Sequence, residues 1–242
     1  MSGESTVTGE GGMKSEDGVV DSPTDRLRVY NLIVGIVHLA QAAAIFALSN
    51  DFSLPVTASF MTGQPGSALS QRETLFDIPI GPVVGIFLLL AAVDHLLMAA
   101  PGIWPWYREN LTKRINYARW WEYSISASVM IVLIAMVTGI SDIGALIAIF
   151  GVNSAMIFFG MVMEIMNRDR NSVNWTAFLF GCVAGIVPWI VIAYQFIGAA
   201  NRSAGPPGFV YGIVISLFVL FNSFAINMAL QYAKRGPWRN YL

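Results

Sequence analysis

Apolar residues gather in six long stretches, near 29–49, 80–100, 117–138, 143–166, 176–198 and 208–233, separated by shorter polar segments. Each stretch is long enough to cross a hydrocarbon core as a helix, which takes roughly 20 residues. The pattern predicts an all-α integral membrane protein with six transmembrane helices. Residues 1–28 are rich in Gly, Ser and acidic residues and lack apolar periodicity. They read as a disordered tail without the apolar core of a cleaved signal peptide. Pro188 falls inside the fifth stretch, where neighbouring helices can satisfy the carbonyl it frees.

The connections are unequal. Residues 50–79 form a long loop with Pro55, Pro65 and Gly66 and an alternating segment, Leu54-Pro-Val-Thr-Ala-Ser-Phe60. A loop of that length usually carries structure or a task, and the alternation fits a small hairpin. Residues 101–116, with Pro101, Gly102 and Pro105, read as a second linker. The loops 139–142, 167–175 and 199–207 are short, so successive helices are expected to be antiparallel neighbours in one bundle. No internal repeat is visible, which weakens an inverted-repeat transporter.

Composition and charge sharpen this picture. Only 12% of residues are charged, about half the share of a soluble domain. That excludes a water-soluble enzyme and a nucleic-acid binder, and no enzymatic activity is expected. A single cysteine, Cys182, excludes an intramolecular disulfide and a cysteine-built zinc site. Twelve of the 14 basic residues fall on the N-terminal side of the spans: Lys14, Arg26, Arg28, Arg108, Lys113, Arg114, Arg119, Arg168, Arg170, Lys234, Arg235 and Arg239. Only Arg72 and Arg202 fall on the other. The positive-inside rule therefore places the N-terminus in the cytoplasm and the 50–79 loop outside. Trp104, Trp106, Trp120, Trp121, Trp175 and Trp238 lie near the same span ends, as an interfacial belt would. Trp189 lies mid-span beside Pro188, where a belt cannot explain it.

Ionisable side chains inside spans are costly, so each is a candidate for function. They are His38, Asp94, His95, Glu122 and Glu164. Counted from the basic helix ends at about 1.5 Å per residue, His38 lies roughly 14 Å deep and His95 and Glu122 roughly 8 Å. Two imidazoles and a carboxylate thus converge on one half of the bilayer. Three readings stay open: ordinary interhelical hydrogen bonding, a two-His, one-Glu metal site, and a counter-ion carboxylate facing a buried cation. No Glu-x-x-His pairing is present, and no metal is expected. Asp94 sits about 100° round the helix from His95 and reads as a polar contact at the rim. Glu164, near the end of its span, reads as reaching the interface. Asn153, Asn222, Ser223, Asn227 and Gln231 are uncharged and read as interhelical glue, with Ser223, Asn227 and Gln231 on one helix face.

Two segments carry a resemblance. Arg119-Trp-Trp-Glu-Tyr-Ser-Ile-Ser126 in the third span, and the run from Ser223 through Asn227, Gln231 and Trp238 to Tyr241, resemble signature segments of the heliorhodopsins. His38, His95 and the long outer loop belong to the same likeness, which covers roughly residues 26–242. It implies a rhodopsin-like seven-helix bundle with inverted topology in the cell membrane, usually a homodimer. It also implies all-trans retinal bound to a lysine as a protonated Schiff base. Glu122 matches the counter-ion, and His38 and His95 match the histidines of a polar cavity beside the Schiff base. Tyr123, Ser126, Asn153, Trp189 and Phe221 match positions that contact or flank retinal. The lysines, however, are Lys14, Lys113 and Lys234, none of them mid-span. The expectation is six helices of the seven, with the chain truncated before the helix that carries the Schiff-base lysine. The expected function is light sensing by retinal isomerisation, not ion pumping, with an unknown signalling partner. The rival is a small proton or cation transporter or channel using His38, His95 and Glu122. A third reading is a membrane scaffold acting through the 50–79 loop.

Overall fold

The computed structural model describes residues 23–169, 171–202 and 205–234. The tail expected over 1–22 and the exit segment with Trp238 and Tyr241 lie outside the described residues. So do Lys14, Arg170, Arg235 and Arg239. The elements follow in the order α1 (Pro23–Leu48), β1 (Ser53–Ala58), β2 (Glu73–Pro79), α2 (Ile80–Ala99), α3 (Trp104–Thr112), α4 (Tyr117–Val137), α5 (Ile143–Asn167), α6 (Thr176–Ala200) and α7 (Gly208–Tyr232). Six of these helices are long and apolar enough to cross a membrane, as the hydropathy pattern requires. The seventh is the short α3.

Two elements depart from the sequence expectation. Helix α1 begins at Pro23 and not near residue 29. Proline is suited to a first helical turn, and Asp25 complements the helix dipole there, so the helix runs through Arg26 and Arg28 although hydropathy is lost. The linker 101–116 contains α3, with Pro105 in its first turn, where a missing N–H breaks no hydrogen bond. Trp104, Tyr107 and Leu111 form its buried side and pack with Met98, Leu27 and Ala118.

The 50–79 loop is an antiparallel hairpin, with Leu54 opposite Ile78 and Val56 opposite Phe76 and a bulge after Val56. It docks on the α4–α5 turn: Thr57 N–H donates to the Ser141 carbonyl at 2.8 Å, and the two hydroxyls meet at 3.0 Å. Val56 thereby enters the main core with Ile131, Ile134, Ile149, Trp189 and Ile192. Hairpin and basic loops sit at opposite ends of the bundle.

Helices approach closely where small residues remove the side-chain barrier. At Gly35 of α1 a Cβ would stand 2.8 Å from Leu96 of α2. At Gly160 of α5 a Cβ would collide with the six-membered ring of the Trp120 indole. A polar stitch joins α4 to α5: Asn153 Nδ2 donates to Ser128 Oγ at 3.1 Å, and Ser154 Oγ donates to the Ser124 carbonyl at 2.5 Å. Helix α7 is held by aromatic edges. Trp189 meets Phe218 at 5.0 Å and Phe221 at 5.6 Å, and Phe196 meets Tyr211 at 4.7 Å.

Gly160→Leu is expected to lower unfolding free energy in mixed micelles by ~1–3 kcal/mol, the usual effect of overpacking. Gly151→Ala meets open space and is expected to change it by less than ~0.5 kcal/mol. Equal effects at both positions would contradict the Trp120–Gly160 contact.

Candidate functional site

Three intramembrane groups singled out in the sequence meet in one place. A cleft of about 350 Å³ between α1, α2, α3 and α4 is lined by His38, His95 and Glu122. The close α1–α2 approach lets the two imidazoles stack nearly parallel, with centroids 5.7 Å apart and planes 16° from parallel. Each ring is oriented by an amide: His95 Nδ1 lies 2.9 Å from Asn31 Oδ1, and His38 Nδ1 lies 3.0 Å from Gln41 Oε1. An amide oxygen only accepts, so the Nδ1 that faces it donates in both rings. Asn31 is buried, and sequence reasoning missed it because an asparagine on an apolar helix carries no distinguishing spacing.

Asp94, read as a polar contact at the rim, lines the same cleft as His95. The 100° between adjacent residues forbids one direction, but a cleft lying between α1 and α4 is wide enough to admit both. Tyr123, Ser126 and Phe221 line the cleft too. Ser126 stands one helical turn after Glu122, so both face the same way.

Glu164, near the end of its span, is 1% exposed and enclosed by the start of α4. Its carboxylate accepts from Arg119 Nη2 at 2.5 Å, Trp120 Nε1 at 2.6 Å and the Asn116 backbone N–H at 2.9 Å. The Arg119 guanidinium lies over the Trp120 ring at 4.5 Å. Position along the span fixes a residue's depth but not its rotation, and α5 turns Glu164 inward towards α4. Asn116 caps α4 by accepting from Arg119 N–H at 3.1 Å and donates to Tyr107 Oη at 3.3 Å. Burial raises the Tyr107 phenol above its ordinary pKa of 10.0. At the exposed surface, the hydrogen bond from Lys113 to Glu109, 2.5 Å long, lowers the Glu109 carboxyl.

Beyond this wall lies a second chamber of about 360 Å³ between α5, α6 and α7, mostly apolar. Trp189 and Phe221 line it, together with Met156, Gly181 and Gly185. Phe221 faces both hollows. Asn153, read as interhelical glue and by resemblance as a retinal neighbour, lines neither hollow and forms part of the α4–α5 stitch. Ser223 turns back to the Leu220 carbonyl at 2.6 Å, and Asn227 is exposed, so the face they share with Gln231 does not glue helices together. Among the described residues no group of three His, Cys, Asp or Glu is placed to hold a metal, and no lysine lines either hollow.

Comparison with protein families matches Heliorhodopsin over residues 27–242. No curated protein matches the chain.

Removing the Glu164 charge leaves the Arg119 guanidinium without its anion. Breaking a buried pair costs about 3–5 kcal/mol; with Arg119 28% exposed, Glu164→Gln is expected near or below the lower end of that range. Unfolding in mixed micelles measures it, and an unchanged stability would contradict the pairing. Tyr107 gives a pH prediction. Its raised pKa means the unfolded chain loses the phenol proton first, so stability falls as pH rises above 10.0. Tyr107→Phe is expected to flatten that part of the stability–pH curve.

Proposed function

The chain belongs to the heliorhodopsin family, and on that footing we propose that it is a light-sensing membrane protein that holds retinal. One observation carries the reading: an apolar chamber walled by Trp189 adjoins a polar cleft containing Glu122, with Phe221 common to both. That pairing of environments suits a molecule with a long polyene and one cationic end. Trp189 and Phe221 would clamp the polyene with their ring faces and edges. Glu122 would stand as counter-ion, with Ser126 one turn away. Bound as a protonated Schiff base, retinal would supply a light-driven isomerisation and a positive charge whose position changes. A lysine for that linkage is not among the residues lining either hollow.

The protein's own part is electrostatic. Glu122 would hold the cation while His38 and His95 offer their rings to the same cleft. A displaced proton would find these groups within the same cleft and change the charge balance between α1, α2 and α4. A change of that kind biases a two-state bundle. We read the protein as non-enzymatic and non-pumping, working as a homodimer in the cell membrane with its N-terminus in the cytoplasm. The one-sided distribution of basic residues supports the orientation.

In nanodiscs, all-trans retinal added to the full-length protein is expected to bind saturably and acquire induced circular dichroism. Trp189→Ala should weaken that binding tenfold or more, the effect of losing a large buried ring at about 1.4 kcal/mol per decade. Where a visible pigment forms, Glu122→Gln should displace its band. Absence of saturable retinal binding would overturn the reading. Proton flux into liposomes, abolished at His38 or His95, would favour the transporter.

A further inference from the structure

We propose that Asp94 is a second proton-carrying carboxyl of the cleft, holding one proton jointly with Glu122 across the seam between α2 and α4. This rests on the reading of Glu122 as counter-ion and extends it to a residue that reading does not use. The geometry comes first. Besides the polar cleft, a lateral groove of about 580 Å³ runs between α2, α3 and α4, rimmed by Trp106, Tyr117 and Trp121. Asp94 and Glu122 are the two residues that line both hollows, so together they form the partition between them.

The charge balance then requires a shared proton. Among the described residues neither carboxyl has an ion-pair partner. Helix α1 offers His38, α2 itself offers His95, α3 offers Tyr107, and α4 offers Arg119, Glu122 and Tyr123. The acidic residues of β2, Glu73 and Asp77, lie on the hairpin at the opposite end of the bundle. Arg119 is the cation of the cleft, and its Nη2 is engaged by Glu164. The imidazoles stack at 5.7 Å, so two imidazolium charges there would repel each other. Two carboxylates facing at most one additional positive charge at membrane depth cannot both stay ionised at low cost, and sharing a proton is the ordinary resolution. The step moves one proton: an O–H bond breaks on one carboxyl and forms on the other, with no redox change. The pair then carries a single negative charge, which matches one cation. It becomes neutral when it accepts a further proton.

The test uses retinal-free, full-length protein in nanodiscs. The carbonyl stretch of protonated carboxyl groups is followed by infrared spectroscopy from mildly acidic to mildly alkaline pH. Two separated protonation steps are expected. Asp94→Asn should leave one step for Glu122, shifted down by about one pH unit or more from the upper step, as removal of a coupled like charge demands. Glu122→Gln should act reciprocally on Asp94, and Asp94→Glu should restore two steps. If a variant fails to fold, carbon-13 labelling of aspartate in the unaltered protein assigns the bands. An aspartate band and a glutamate band that titrate together support the pair. A Glu122 midpoint that ignores Asp94, or two carboxyls that stay both ionised or both protonated throughout, overturns it. Failure of retinal binding would overturn the previous section and leave this titration untouched. A pigment that forms normally beside uncoupled carboxyls would overturn the pair alone.

Discussion

A carboxylate sealed inside a membrane bundle must be met by donors, and Glu164 is met by three from one short stretch of chain. Asn116, Arg119 and Trp120 all reach it, and all belong to the start of α4. Once that stretch is fixed, much else follows. Trp120 is seated over Gly160, Arg119 is laid on Trp120, and Asn116 is free to cap α4 and to hold Tyr107 of α3. The wall between the polar cleft and the apolar chamber is built from these side chains and Phe224, whose ring meets Trp120 at 5.8 Å and Tyr123 at 5.6 Å. The pair is only weak evidence for net stability, because desolvating both charges offsets their attraction. Its stronger role is geometric, since the three donors fit one rotation of α4 against α5.

The cleft depends on this arrangement through charge. Arg119 lines it, yet the guanidinium is turned to Glu164, and the carboxylates of α2 and α4 are left facing the stacked imidazoles. A cation available to Glu122 from within the protein would compete with any cationic ligand for that carboxylate. By holding Arg119 on Glu164, the fold keeps the Glu122 side of the cleft acidic. The polar end of the site and the buried ion pair are therefore two halves of one electrostatic arrangement.

Much of this was legible in the sequence, and the reasons differ by element. The six spans are stated by hydropathy because a bilayer tolerates nothing else of that length. The hairpin was visible in the alternation after Leu54, and the meeting of His38, His95 and Glu122 in their rarity and in their sharing one half of the bilayer. Rotation was not legible. Glu164 was assigned to the interface from its position and Asp94 to the rim from its offset of about 100° from His95. Yet donors at the start of α4 turn Glu164 inward, and the cleft takes in Asp94 beside His95. Helix α3 was hidden by Pro101, Gly102 and Pro105, which read as a linker although proline also suits a first turn. Asn153 read as helix glue from its residue type and as a retinal neighbour only through the resemblance, and its bond to Ser128 is the glue the first reading expected.

The two hollows divide what a polyene cation needs without mixing it. Apolar surface lies beyond Trp189 and Phe221, and titratable groups lie in front of Glu122. Phe221 lines both, and Arg119 of the cleft lies on Trp120 of the chamber, so a change of shape on the apolar side reaches the polar side through these two contacts. Packed aromatic walls move between discrete arrangements and do not deform smoothly. A displacement on the chamber side would therefore arrive at the cleft as a step in the position of Tyr123 and Arg119, the residues that flank Glu122. In a site with so few charges, moving one of them by an ångström changes the field at the carboxylate more than any rearrangement of apolar contacts could.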